Sequence, residues 1–132
     1  MRRLSLALLV VALASVGCSQ EGKARPPGEV GMTAGLKFEP AEITIDAGDT
    51  VTWVNDSTDV HTVTALEDGI PEGADYFATG GFDSERAARE ELGEGLMSEG
   101  DEFEVTFEEP GTYRYVCLPH ESQGMLGSVV VR

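Results

Sequence analysis

From residue 36 onward the apolar side chains fall on alternate positions: Ile43 and Ile45, Val51 and Trp53, Phe103, Val105 and Phe107, Tyr113 and Tyr115, Val129 and Val131. A period of two means half-buried strands, with one face turned to a core and the other to water. Between the runs sit turn signals, Asp46-Ala47-Gly48-Asp49, Asn55-Asp56-Ser57, Glu108-Glu109-Pro110-Gly111 and Gln123-Gly124, at spacings suited to antiparallel connections. The pattern is that of a β-sandwich. Trp53, Phe103, Phe107, Tyr113 and Tyr115 are the expected core aromatics.

One stretch, residues 67–100, breaks the rhythm with glycine and acid, and only residues 84–92 in it have helix character. Ser84 is placed to cap that helix and Gly93 to end it. Glu90 and Glu91 near its C-terminus oppose the macrodipole, and Ala87, Ala88 and Leu92 make a thin apolar face, so the helix is expected to be short and peripheral.

The chain has 132 residues, the size of one domain. Arg2 and Arg3 precede an apolar run over residues 4–14, and Ser15-Val16-Gly17-Cys18 follows, the layout of a secretory signal. The apolar run is too short for a bilayer, which needs about 20 residues. A cysteine directly after a small residue resembles a bacterial lipoprotein processing site, with residues 1–17 removed and Cys18 lipidated. Ser15 departs from that pattern, and secretion with Cys18 left as a free thiol is the alternative. Residues 18–35, with Pro26-Pro27-Gly28, read as a lipid-anchored N-terminus and flexible linker, and residues 36–132 as the folded domain. Met32 falls in the linker on this reading, and Met97 in loop or satellite packing.

Lys and Arg total 9 against 24 Asp and Glu, a net charge of −15. No basic stripe is available to neutralise phosphates, so nucleic acid is excluded as a partner. The acids are scattered along the chain, which fits a hydrated surface better than steering toward one basic partner. Cysteine occurs at Cys18 and Cys117, so no disulfide framework is on offer.

The chemistry is concentrated in Cys117-Leu118-Pro119-His120-Glu121-Ser122-Gln123-Gly124-Met125. A thiol ends a strand, and an imidazole and a thioether follow on the loop into the last strand, so one loop can aim all three at a point. The other imidazole, His61, lies in Val60-His61-Thr62-Val63-Thr64 and must be brought in by the fold. A thiolate and two imidazoles with a weak thioether suit copper, because soft sulfur accepts Cu(I) while imidazole still accepts Cu(II). Zinc prefers four strong ligands, which a Met sulfur does not complete.

These residues resemble the small blue-copper proteins of the plastocyanin and halocyanin kind over residues 36–132. Cys117-Leu118-Pro119-His120 followed by Met125 is similar to the family's ligand loop, and Asp49-Thr50-Val51-Thr52-Trp53-Val54-Asn55 with His61-Thr62-Val63 is similar to its first-ligand region. The resemblance implies an all-β Greek-key cupredoxin sandwich of seven or eight strands with one short peripheral helix. It also implies a single type 1 copper bound by His61, Cys117, His120 and Met125. The acidity and the proline-rich linker look more like halocyanins than chloroplast plastocyanins. Plastocyanins commonly place Asn after the first His and a hydroxyl residue after the Cys, where this chain has Thr62 and Leu118, so that side-chain tie between the two loops is not expected.

The function so implied is one-electron transfer between extracytoplasmic redox proteins, a cytochrome or a membrane oxidoreductase as donor or acceptor, by a monomer held at the membrane through Cys18. Leu118, Pro119, Met125 and Leu126 would form an apolar docking face around His120. Copper storage or delivery is the alternative use of the same ligands. An enzyme with Cys117 as nucleophile and His120 as base is disfavoured, because no third group is in evidence to orient the base.

Overall fold

The computed structural model describes residues 24–132, and the signal reading of residues 1–17 and the lipidation reading of Cys18 lie outside them. The strands are β1 (Glu29–Thr33), β2 (Lys37–Glu39), β3 (Glu42–Ile45), β4 (Thr50–Asn55), β5 (Thr64–Ala65), β6 (Glu102–Thr106), β7 (Gly111–Val116) and β8 (Leu126–Val131), with one helix, α1 (Glu85–Glu90). Two four-stranded sheets form, ordered β2-β1-β4-β6 and β3-β8-β7-β5. In β4 the alternation is plain, with Val51, Trp53 and Asn55 buried and Thr50 exposed. Trp53 is the centre of the core. Its ring meets Tyr115 edge-on at 5.2 Å and lies near Phe77, Phe103 and Phe107.

The connections differ from the antiparallel expectation in two places. β1 pairs with β4 in parallel, Val30 opposite Trp53, and β3 pairs with β8 in parallel, Ile43 opposite Val129. The Asp46–Asp49 turn therefore does not close a hairpin but carries the chain from one sheet to the other, anchored by Gly48 N–H to the Phe107 carbonyl at 2.7 Å. A crossing turn and a hairpin turn call for the same residues, so sequence did not separate them. The result is the sandwich expected, with eight strands and one short helix.

The linker boundary needs correction. Residues 29–33 are not linker but β1, an inner strand, and Val30 and Met32 are fully buried. Pro26-Pro27-Gly28 is the turn into that strand: the Glu29 N–H donates to the Pro26 carbonyl at 3.1 Å, and Gly28 takes φ +83°. Arg25 lies across Gly31, where a Cβ would collide with the guanidinium, and pairs with Glu29 and Asp56. The domain thus begins at or before residue 28, not at residue 36.

Residues 67–100 leave the sandwich and return to its edge, where the Ala65 N–H donates to the Phe77 carbonyl and the Thr79 N–H to the Val63 carbonyl. Phe77 and Met97 from this stretch enter the core. Ser84 caps α1 by accepting from the Ala87 N–H at 3.2 Å, as expected, and only Ala88 of the helix is buried. The helix stops at Glu90, short of Gly93, and a 3-10 turn over Leu92–Gly95 continues the chain. Among the described residues no helix is long and apolar enough to cross a membrane.

Candidate metal centre

Cys117 follows the last residue of β7 and is fully buried. The chain then tightens into a 3-10 turn, Leu118–Gln123, which ends because Gly124 adopts the left-handed conformation, φ +79°. Three backbone hydrogen bonds draw the loop closed: His120 N–H to the Cys117 carbonyl at 3.1 Å, Met125 N–H to the His120 carbonyl at 3.3 Å, and Cys117 N–H to the Met125 carbonyl at 3.0 Å. The backbones of Cys117, His120 and Met125 are thereby held close to one another. Met125 is 1% exposed, so of the four residues expected to form an apolar face around His120 it is not on the surface.

His61 comes from the other sheet connection. Its backbone exchanges two hydrogen bonds with Met97, at 2.8 and 3.2 Å, so residues 67–100 help seat it. Its Nδ1 lies 3.6 Å from Cys117 Sγ, and the Nδ1 of His120 lies 3.4 Å from the same sulfur. The three donor atoms all fall within 4.8 Å of one another. A metal bound at ordinary N and S bond lengths, roughly 2.0–2.3 Å, with open trigonal or tetrahedral angles, sets N and S about 3.5–3.8 Å apart. The observed separations, 3.6 and 3.4 Å, lie in or within about 0.1 Å of that span, as one shared ion requires.

With Nδ1 of His61 turned to the sulfur, its proton belongs on Nε2, 3.0 Å from Ser57 Oγ. Ser57 in turn donates to Asn55 Oδ1 at 3.1 Å, and the Asn55 amide nitrogen donates to the Asp59 and Met97 carbonyls. Asn55, Ser57 and His61 are all buried, so each bond fixes the next. In sequence Asn55-Asp56-Ser57 has the composition of a turn and nothing more. It is one, since the Ser57 N–H donates to Asn55 Oδ1 at 2.9 Å, but the same turn aims the hydroxyl at His61.

Burial pushes the Cys117 thiol above its ordinary range, against the pull of hydrogen bonds from Thr62 and His120, and burial lowers His61. Both shifts express one condition: the pocket resists bare charge. A cation that takes the thiolate and two neutral imidazoles relieves it and displaces the thiol proton. His120 is only partly buried and is the imidazole nearest solvent. Among the described residues the exposed large apolar side chains are Val60, Leu96 and Leu126, and they neighbour His61, Met97 and Met125 in the chain.

Residues 28–132 match the family of copper binding proteins of the plastocyanin/azurin kind. The chain belongs to that family. A plastocyanin of Scenedesmus fuscus is 37% identical over 97 residues, 74% of this chain and 88% of that protein. Among solved structures, a reduced amicyanin variant is 31% identical with a TM-score of 0.57, covering 79% of this chain and 80% of its own. A pseudoazurin from Sinorhizobium meliltoi is 31% identical with a TM-score of 0.56, covering 79% and 72%. As a member of the family the chain is a type 1 copper electron carrier that works with redox partners, and it is not an enzyme. Some relatives are longer: the alignment spans 59% of the Tetradesmus obliquus plastocyanin.

Proposed function

We propose that His61, Cys117, His120 and Met125 hold the copper, and that electrons enter and leave through the partly exposed edge of His120. The observation that carries this is the pair of Nδ1 atoms at 3.6 and 3.4 Å from one buried sulfur. Copper supplies a valence that alternates between Cu(I) and Cu(II). The protein supplies a cage that changes little between the two: His61 is fixed by Ser57, and the Cys117 and Met125 backbones are bonded to each other. A ligand set so enclosed favours retention over hand-off, and so carriage of electrons over delivery of copper.

The partners are redox proteins outside the cytoplasm, a cytochrome or a membrane oxidoreductase, met by a monomer exported on residues 1–17 and held at the membrane by a lipidated Cys18. The family relatives support a location outside the cytoplasm through the chloroplastic plastocyanins among them. Mass spectrometry of the native N-terminus tests the anchor: an acylated Cys18 is expected, and an unmodified start elsewhere removes it.

The ligand assignment is tested by adding Cu(II) to the purified domain. Strong visible absorption from thiolate-to-copper charge transfer is expected, fading reversibly with reductant and lost in Cys117→Ala. Retained colour in that variant would overturn the assignment.

A further inference from the structure

The ligand loop is fastened to the rest of the domain at its inner end, beside Cys117, and at its outer end, beside His120. At its inner end the Leu118 N–H donates to Thr62 Oγ1. At its outer end Glu121, the residue after His120, receives a two-pronged grip from Arg89 of α1, at 2.7 and 3.0 Å. The fork geometry fixes direction as well as distance.

Arg89 is itself braced. Its Nε donates to Glu85 Oε1 at 2.9 Å, one turn earlier on the helix. Glu85 is joined to Glu67 reciprocally, each backbone N–H donating to the other's carboxylate at 3.0 Å. The chain of contacts runs from the end of β5, through Glu67, Glu85 and Arg89, to Glu121. An isolated exposed ion pair contributes little, but a braced bidentate network is the case in which such pairs hold geometry.

We propose that Arg89 is a positioning residue for the copper site: from a helix outside the sandwich it locks Glu121, and with it the adjoining His120, so that the imidazole keeps its place when the copper valence changes. Residues 67–100 then serve the metal centre twice, through Met97 on His61 and through Arg89 on the His120 side. The inference rests on His120 being a copper ligand. If that reading fails, the wild-type protein is not blue; if only the clamp fails, it stays blue.

The test is release of Cu(I) from the full domain to excess bicinchoninate, with the visible and electron paramagnetic resonance spectra of the Cu(II) form. Charge alone makes opposite demands on the two ends. Removing the Arg89 cation should hold Cu(I) more tightly, and removing the Glu121 anion should loosen it. A clamp makes the same demand on both. Arg89→Gln and Glu121→Gln are each expected to speed release about tenfold, the scale on which supporting contacts act at metal sites. The copper hyperfine splitting should change in both, and the charge exchange Arg89→Glu with Glu121→Arg should recover part of the loss, since it restores the pair but not the Glu85 brace. Opposite signs for the two single variants, or changes below about twofold, would overturn the clamp. So would a fall in the melting temperature of the metal-free variants that tracks their release rates, since the effect would then be one of fold stability.

Discussion

The hydroxyl of Thr62 accepts a 2.9 Å hydrogen bond from the backbone N–H of Leu118, joining the loop after His61 to the loop after Cys117. Thr62 and Leu118 stand where plastocyanins commonly have Asn and a hydroxyl residue, so the side-chain tie of that pattern is missing. The loops are joined all the same, by one side chain and one main chain. The Thr62 N–H also points at Cys117 Sγ, 3.5 Å away, so a single residue addresses both the sulfur and the loop that follows it. Thr62→Val keeps the shape and the N–H but leaves the Leu118 N–H without its acceptor. The expected cost is about 1–3 kcal/mol in urea unfolding, with a shifted charge-transfer band, while Thr62→Ser restores both. A Val variant with wild-type stability and spectrum would show the bond to be idle.

Ser57 poses the complementary question on the other imidazole. Without its hydroxyl the His61 Nε2–H is buried with no partner, since the ring is fully enclosed. Partners of metal-bound imidazoles typically contribute 10- to 100-fold in metal affinity. Ser57→Ala is therefore expected to weaken Cu(II) binding by about that factor and to shift the reduction potential, measured by competition titration and by voltammetry. Unchanged affinity together with an unchanged potential would count against the assignment of the Nε2 proton.

What sequence could and could not disclose follows the range of the interactions. Strands with one wet face were legible because Val51, Trp53 and their like alternate, and the ligand loop because Cys117, His120 and Met125 are close in the chain. β1 was not legible. Proline and glycine precede it, and its two buried side chains, Val30 and Met32, are too few to show a period. The Arg89 to Glu121 contact joins residues 32 apart and the Ser57 to His61 bond depends on a turn's exact course, so neither has a local pattern to read.

Met32 makes the difference between the two views measurable. As part of a linker it could be truncated without effect; as a fully buried side chain of β1, opposite Asn55 of β4, it fills the core. Met32→Ala is expected to cost about 2–5 kcal/mol while the folded fraction keeps its blue colour, because Met32 is not among the proposed ligands. Urea denaturation followed at the tryptophan and at the copper band would show it. A midpoint equal to wild type would return residues 29–33 to the linker.

Three tyrosines tie the stability of the domain to alkaline pH. Tyr76, Tyr113 and Tyr115 are all pushed above the ordinary tyrosine range, in each case chiefly by burial. Tyr76 and Tyr113 also use the protonated form, donating to the Ala65 and Glu109 carbonyls at 2.9 and 2.8 Å. A raised value means that the folded state holds the proton more tightly than the unfolded chain, whose tyrosines titrate near pH ~10. The stability tied to these groups is therefore fully present below about pH 10 and lost as the pH climbs through the folded values. Tyr115 isolates one contribution. The Trp53 N–H lies close enough to favour its ionised form slightly, yet neither group completes a hydrogen bond with the protein. Gly127 leaves room for the ring, since a Cβ there would stand 2.5 Å from the phenol oxygen. Tyr115→Phe should accordingly lie within about 1 kcal/mol of wild type at neutral pH and fall less steeply above pH ~10. Melting curves of both proteins from about pH 8 to 11 decide it, and parallel curves across that range would remove Tyr115 from the account.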